Sequence, residues 1–148
     1  MLIYRERLLP GPGIFLICGL LIPASLLVFL PINETLGVIS AVVLYVAAAV
    51  LLVLGSPRIE VTDTELLAGR ARLPLTNVGE ATGYTGPEAT AERGVRLDAR
   101  AWLVIRGWIS PVVKVIVDDA NDPAPYWLVS TRNPKALVAA LAQARTHA

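Results

Sequence analysis

Three clusters in this chain have residue types and spacings that could do chemistry. Asp118, Asp119, Asn121 and Asp122 fall within five residues, and carboxylates beside an amide are ligands for a hard cation. Their spacing lacks the glycine and the distal glutamate of a calcium loop. Pro123 and Pro125 follow at once, so the expected structure is a stiff hairpin turn without a metal. Ser130, Thr131 and Arg132 stand immediately before Asn133-Pro134, an N-cap followed by a first-turn proline. Hydroxyls and a guanidinium beside free helix N–H groups could hold a phosphate or carboxylate. The alternative there is helix capping and an internal contact from Arg132 to Asp118 or Asp122. Trp102, Arg106 and Trp108 recur at even spacing, which on one strand places them on one face with Val104. Together with Tyr126, expected to be partly exposed, they form a candidate aromatic and cationic contact surface for a protein partner.

The usual catalytic signatures are missing from the sequence. The one histidine is His147, close to the chain end, and the one cysteine is Cys18, in an apolar stretch. There is no nucleophile elbow and no glycine-rich phosphate loop. A non-enzymatic protein without a cofactor is expected. A formal net charge of +1 argues against dedicated nucleic-acid binding.

The elements that carry these clusters divide sharply by composition. The chain has 148 residues and is 55% apolar and 17% charged, against about 45–50% and about 25% for an ordinary soluble domain. The excess is concentrated: between Leu8 and Pro57 the only charged residue is Glu34. The cores Ile14–Leu30 and Leu36–Leu54 are each long enough, at 1.5 Å per residue, to cross a hydrocarbon layer of about 30 Å. Two spans are expected, over about 13–31 and 35–55, joined by the short reversal Pro31-Ile32-Asn33-Glu34. That reversal has no small-x-small pattern of the kind a signal peptidase cuts. Arg5 and Arg7 precede the hairpin and Arg58, Arg70 and Arg72 follow it, while the reversal carries no cation. The positive-inside rule then places both termini in the cytoplasm of a multi-pass plasma-membrane protein.

Within the hairpin, Pro23 should kink the first span. Gly37, Ala41 and Ala48 give the second span a small-residue face, suited to close packing within the hairpin or to a homo-oligomer. No Asp, Glu, Lys, Arg or His lies inside either apolar core, so the hairpin reads as an anchor rather than as a transport pathway.

Residues 58–148 read as a small cytoplasmic domain, with 11 Lys+Arg against 10 Asp+Glu. Alternation marks strands at Ile59–Thr62, Glu65–Gly69, Arg70–Leu75, Val78–Tyr84, Ala101–Arg106, Val112–Val117 and Tyr126–Val129. Gly86–Arg100 reads as a helical turn or a loop. After Asn133-Pro134 the period becomes helical, with Leu137, Val138, Leu141 and Ala144 on one face. The expectation is an α+β arrangement: a membrane hairpin on residues 1–57, then about seven antiparallel strands in a bent sandwich or partial barrel capped by one C-terminal helix.

Two blocks are more specific than the rest. They are Tyr4-Arg5-Glu6-Arg7-Leu8 and Asp118-Asp119-Ala120-Asn121-Asp122-Pro123-Ala124-Pro125-Tyr126-Trp127-Leu128-Val129-Ser130-Thr131-Arg132-Asn133-Pro134. With the hairpin between them, the whole chain resembles a family of small actinobacterial membrane proteins known as a domain of unknown function. In its order of elements the second half also resembles bacterial PH-like domains. The family carries no established activity, and a likeness of fold does not imply a function. From the absent catalytic signatures and the aromatic and cationic surface, the chain is expected to be an interaction or scaffold module, an accessory component of a membrane or envelope complex. The alternative, resting on Arg132 and its neighbours, is a module that binds a lipid headgroup or a small anion.

Overall fold

The computed structural model describes residues 1–147. The chain folds as two compact units, Leu9–Ser56 and a second made of Met1–Leu8 with Pro57 onward. Composition groups residues 1–57 with the hairpin, but the first eight residues fold with the domain that follows it.

In the apolar unit, α1 (Pro12–Cys18) and α2 (Leu21–Phe29) make up the first 18-residue apolar segment, and α3 (Glu34–Leu54) is the second, of 21 residues. Both segments are long and apolar enough to cross a membrane. The break between α1 and α2 falls at Gly19-Leu20. Pro23 has no N–H for the Gly19 carbonyl and its ring crowds that carbonyl, so the helix opens one turn before the proline. Asn33 caps α3: its Oδ1 accepts from the backbone N–H of Thr35 at 2.9 Å and of Leu36 at 3.2 Å.

The other unit holds eight strands among the described residues. One sheet has the order β1-β2-β3-β4, from Leu2–Arg7, Arg58–Thr62, Glu65–Ala68 and Ala71–Pro74. The second has the order β5-β7-β8-β6, where β5 is Val78–Tyr84, β6 Trp102–Val104, β7 Val112–Val117 and β8 Tyr126–Ser130. Helix α4 (Gly86–Arg93) follows β5, and α5 (Pro134–His147) closes the chain. The seven-strand antiparallel expectation is corrected twice. β1 adds a strand, and β6 pairs with β8 in parallel. The turn between β3 and β4 bends at Gly69, whose φ of 66° is a left-handed conformation that L side chains avoid.

The core lies on the inner faces of the strands and beneath α5. Ile59, Val61, Val113, Val115 and Val129 are buried there with Leu137 and Leu141. β8 is buried at every position. Its other face carries a second cluster, in which Tyr126, Leu128 and Val112 pack with Ala89 of α4. Removing that many large side chains from water contributes about 1.5–3 kcal/mol each, which is why β8 reads as an unbroken apolar run rather than a clean alternation.

Candidate functional site

The aspartate cluster is a turn. Asp119 Oδ1 accepts from the Asn121 N–H at 2.9 Å, and Asp119 Oδ2 from Asn77 Nδ2 at 2.9 Å. Asp122 Oδ1 accepts from the Ala124 N–H at 2.8 Å. These carboxylates thus hold their own loop in shape, the ordinary role of Asp in turns. Among the described residues no three His, Cys, Asp or Glu side chains gather as metal ligands would.

At the start of α5 a carboxylate does sit where the residue types suit an anion, and it belongs to the chain. Glu6, on β1, accepts from the Thr131 hydroxyl through Oε2 and from the Arg132 N–H at 2.9 Å through Oε1. The Tyr4 hydroxyl donates to the same Oε2 at 2.9 Å. Burial, with the Glu6 carboxylate beside it, pushes the Tyr4 phenol above its usual range, while the Thr131 hydroxyl opposes the shift. Thr131 is fully buried and also accepts from the Asn133 N–H at 3.1 Å. Asn133 Oδ1 accepts from the Ala136 N–H at 3.2 Å, capping the helix. Ser130 is fully buried as well, and its Oγ accepts from the Arg106 N–H at 3.0 Å. Glu6 is thus an internal partner of the Thr131 hydroxyl and of the Arg132 backbone. The only sequence signal for it was its place in the Tyr4–Leu8 block.

Trp102, Arg106, Trp108 and Tyr126 do not share one face. β6 ends at Val104, and the chain turns so that the Ile109 N–H reaches the Arg106 carbonyl at 3.0 Å. Trp108 therefore leaves the strand, and its indole N–H donates to the Leu8 carbonyl at 3.1 Å. Tyr126 is only 6% exposed, contrary to the expectation of partial exposure, because α4 and the segment after it cover that face of β8. Its hydroxyl accepts from the Asp98 N–H at 2.8 Å. The cation over its ring is Lys114, 4.3 Å from the centroid, rather than an arginine. Lys114 also meets Glu92 of α4 at 3.2 Å, and Glu92 is buried. Trp102 remains on the surface at 45% exposure, beside exposed Leu103 on the edge strand β6, its ring 6.3 Å from that of Trp127.

A groove that no local residue pattern announces runs between β5 and α5. Its larger part, about 430 Å³, is lined by Gly83 and Thr85 on one side and Pro134, Lys135, Val138 and Ala139 on the other. A Cβ on Gly83 would stand 2.9 Å from the Pro134 Cβ, so the helix start approaches the strand as closely as glycine permits. Arg145 crosses the other end, donating to the Gly79 carbonyl at 2.9 Å.

In the apolar unit, Gly37 and Ala41 are buried and Ala48 is half-buried. A Cβ on Gly37 would lie 3.6 Å from that of Phe29, so the small-residue face of α3 packs on α2.

No curated protein and no solved structure matches this chain. A family model does match, over residues 3–141, from within β1 into α5. That match takes in both the Glu6 and the Thr131 side of the contact at the start of α5, and the chain belongs to DUF3093, a protein family of unknown function.

Proposed function

We propose that this chain is a non-catalytic, multi-pass plasma-membrane protein with both termini in the cytoplasm. Its apolar hairpin anchors a PH-like domain that acts as an interaction module for another membrane or envelope complex. The observation that carries this reading is the placement of the hairpin between paired strands. β1 leads into it, β2 leads out of it, and the two are antiparallel neighbours closed by a Leu8 N–H to Pro57 carbonyl bond of 3.0 Å. A domain leashed at two adjacent points is suited to presenting a surface rather than to roaming. Two four-stranded sheets followed by a closing helix support the PH-like part by architecture alone.

The surface favoured for the partner is now the β6 edge at Trp102 and Leu103. Exposed aromatic and aliphatic side chains on a strand edge are costly to leave in water and are common interface anchors. A small anion at Ser130, Thr131 and Arg132 is less favoured, since Glu6 already takes the Thr131 hydroxyl and the Arg132 N–H. A homo-oligomer through α3 is less favoured too, since Gly37 faces α2.

Two measurements test the reading on the full chain in its membrane. A photocrosslinking residue at position 102 should trap one discrete partner, and the same residue at position 72 should not; equal trapping at both would overturn the contact. With Cys18 replaced by Ser, an impermeant thiol reagent should label Ile32→Cys only from outside intact cells and Thr64→Cys only in inverted vesicles. The opposite pattern would overturn the topology.

A further inference from the structure

The second sheet ends on β5, which has β7 on one side and no strand on the other. An antiparallel strand turns its N–H and C=O groups alternately toward its partner and away from it. One outward acceptor of β5 is the Gly79 carbonyl, which takes Arg145 Nη1 of α5 at 2.9 Å. Among the described residues, no backbone group of residues 80–84 is bonded outside the sheet. An edge of this kind is a template for one more strand. The groove between β5 and α5 runs along it. Its two parts, of about 430 and 320 Å³, share Val138 and Ala142. On the strand side it extends from Gly79 to Thr85, about 20 Å at a rise of about 3.3 Å per residue. On the helix side its wall is apolar and small, with Val138, Ala139 and Ala142. The wider part carries two polar side chains, Thr85 and Lys135, both exposed. Among the described residues, neither the Thr85 hydroxyl nor the Lys135 ammonium has a partner. The one carboxylate among the lining residues, Glu80, stands in the other part, beside Arg145.

We propose that this groove binds an extended peptide segment of a partner protein, which adds a strand to β5 and sets a carboxylate beside Lys135 and Thr85. Successive side chains of a strand point to opposite faces, so every second residue of the segment meets the wall of α5. Those residues are apolar and seat against Val138, Ala139 and Ala142. The residues between them face water and are polar. Backbone bonds to the open edge hold any extended chain, and the groove and the Lys135 charge select among chains. A single ammonium beside a hydroxyl matches one carboxylate, and Glu80 at the far end disfavours a second. The β5 edge of a second copy is a poor occupant, because glycine at 79 and 83 brings no side chain into the groove. β5 and β6 are the two opposite edges of one sheet. The inference therefore adds a second contact to the one at Trp102 and depends neither on that contact nor on the hairpin's spanning a membrane.

The test pans random heptapeptides, displayed on phage, against the full chain in detergent micelles. Enriched peptides should alternate apolar and polar residues and carry Asp or Glu at one fixed position near an end. Panning on Lys135→Glu should exchange that acid for Lys or Arg. Lys135 is exposed in the first turn of α5, where a glutamate suits the helix dipole, so this variant keeps the fold. An enriched peptide is then made with a fluorophore and its binding read by anisotropy. Lys135→Glu should weaken it about fivefold at low salt. Ala142→Trp, which fills the groove, should abolish binding, while Gln143→Trp should not; both positions are exposed. Methylating every second backbone nitrogen of the peptide should abolish binding in one register and spare it in the other, as strand addition requires. No enrichment over the Ala142→Trp chain, an acid preference unchanged in Lys135→Glu, or equal binding of both methylated registers would overturn the proposal. A peptide lost with Trp102→Ser but kept with Ala142→Trp would place the contact at the β6 edge and overturn the groove alone.

Discussion

Glu6 and Thr131 are 125 positions apart in the chain and hydrogen-bonded in the fold, with the Glu6 carboxylate lying across the start of α5. Its second oxygen takes the Arg132 N–H and Tyr4 donates to the first, so one side chain fastens β1 to the closing helix. Because β1 is also the strand that leads into the hairpin, this contact ties the apolar segment's point of departure to the far end of the sequence.

Glu6→Ala should therefore destabilise the domain by about 1–3 kcal/mol, the cost of leaving a buried hydroxyl and a backbone N–H without their acceptor. Glu6→Gln, which keeps one carbonyl oxygen as an acceptor, should lose less. Thermal unfolding of the detergent-solubilised chain, followed by tryptophan fluorescence, checks the order; equal melting of Glu6→Ala and the unaltered chain would show that the contact adds nothing.

Gly83 tests the closeness of β5 and α5. Any side chain there must push Pro134 away, since a Cβ would stand 2.9 Å from the Pro134 Cβ. Gly83→Val should cost about 1–3 kcal/mol through overpacking. Gly107→Ala, where a Cβ meets nothing within 4 Å, should stay within about 0.5 kcal/mol of the parent. The two variants compared in one melting series decide the point.

Glu92 is only 4% exposed and is held by Lys114 at 3.2 Å and Arg96 at 3.4 Å. Lys114→Met leaves the carboxylate with the longer contact alone and should cost about 2 kcal/mol. Adding Glu92→Gln to that variant should restore part of the loss, because the buried charge is removed along with its partner. A double-mutant cycle with no coupling would mean that the pair is a surface contact in energetic terms.

Asp98 supplies the pH-dependent case. Hydrogen bonds from the Arg100 side chain and then from the Arg100 backbone hold its carboxyl down at about 2. A folded pKa below the unfolded value means that the stabilisation is fully present above about pH 4 and is lost as pH falls through about 2. Carbon-detected titration of the Asp98 carboxyl should give a midpoint near 2 in the parent. In Arg100→Gln the midpoint should climb toward about 3.9. Both groups are open to solvent, so added salt should also raise the parent's midpoint.

Most of the local structure was legible in the residues. The uncharged run from Leu8 to Asn33 and the one after Glu34 specify two long apolar helices, because periodicity and length are local properties. Pro23 announced a break, and Asn133-Pro134 announced the start of α5, because capping and proline geometry act over one turn. Strands β2 to β8 followed from short runs of strand-forming residues bounded by turns such as Gly69, β8 as an apolar run and the others by alternation. β1 was hidden, because Arg5 and Arg7 look like the basic flank of an apolar span, and their strand role depends on a partner more than fifty positions away.

The candidate contacts divide along the same line. That Ser130, Thr131 and Arg132 suit a negative group is a matter of residue type and of position before a helix, and the sequence alone determined it. Which negative group lies there was decided only by the pairing of β1 with β2 across the whole hairpin, which brings Glu6 to the helix start. Trp102 and Tyr126 follow the same logic: alternation says which side of a strand each occupies, but not what covers that side. α4 lies over Tyr126, while the sheet ends at β6 and leaves Trp102 at the surface. Local patterns set the elements because backbone and neighbour sterics are local. Long-range pairing set the contacts, because burial is a property of two surfaces and the sequence of either one holds half of it.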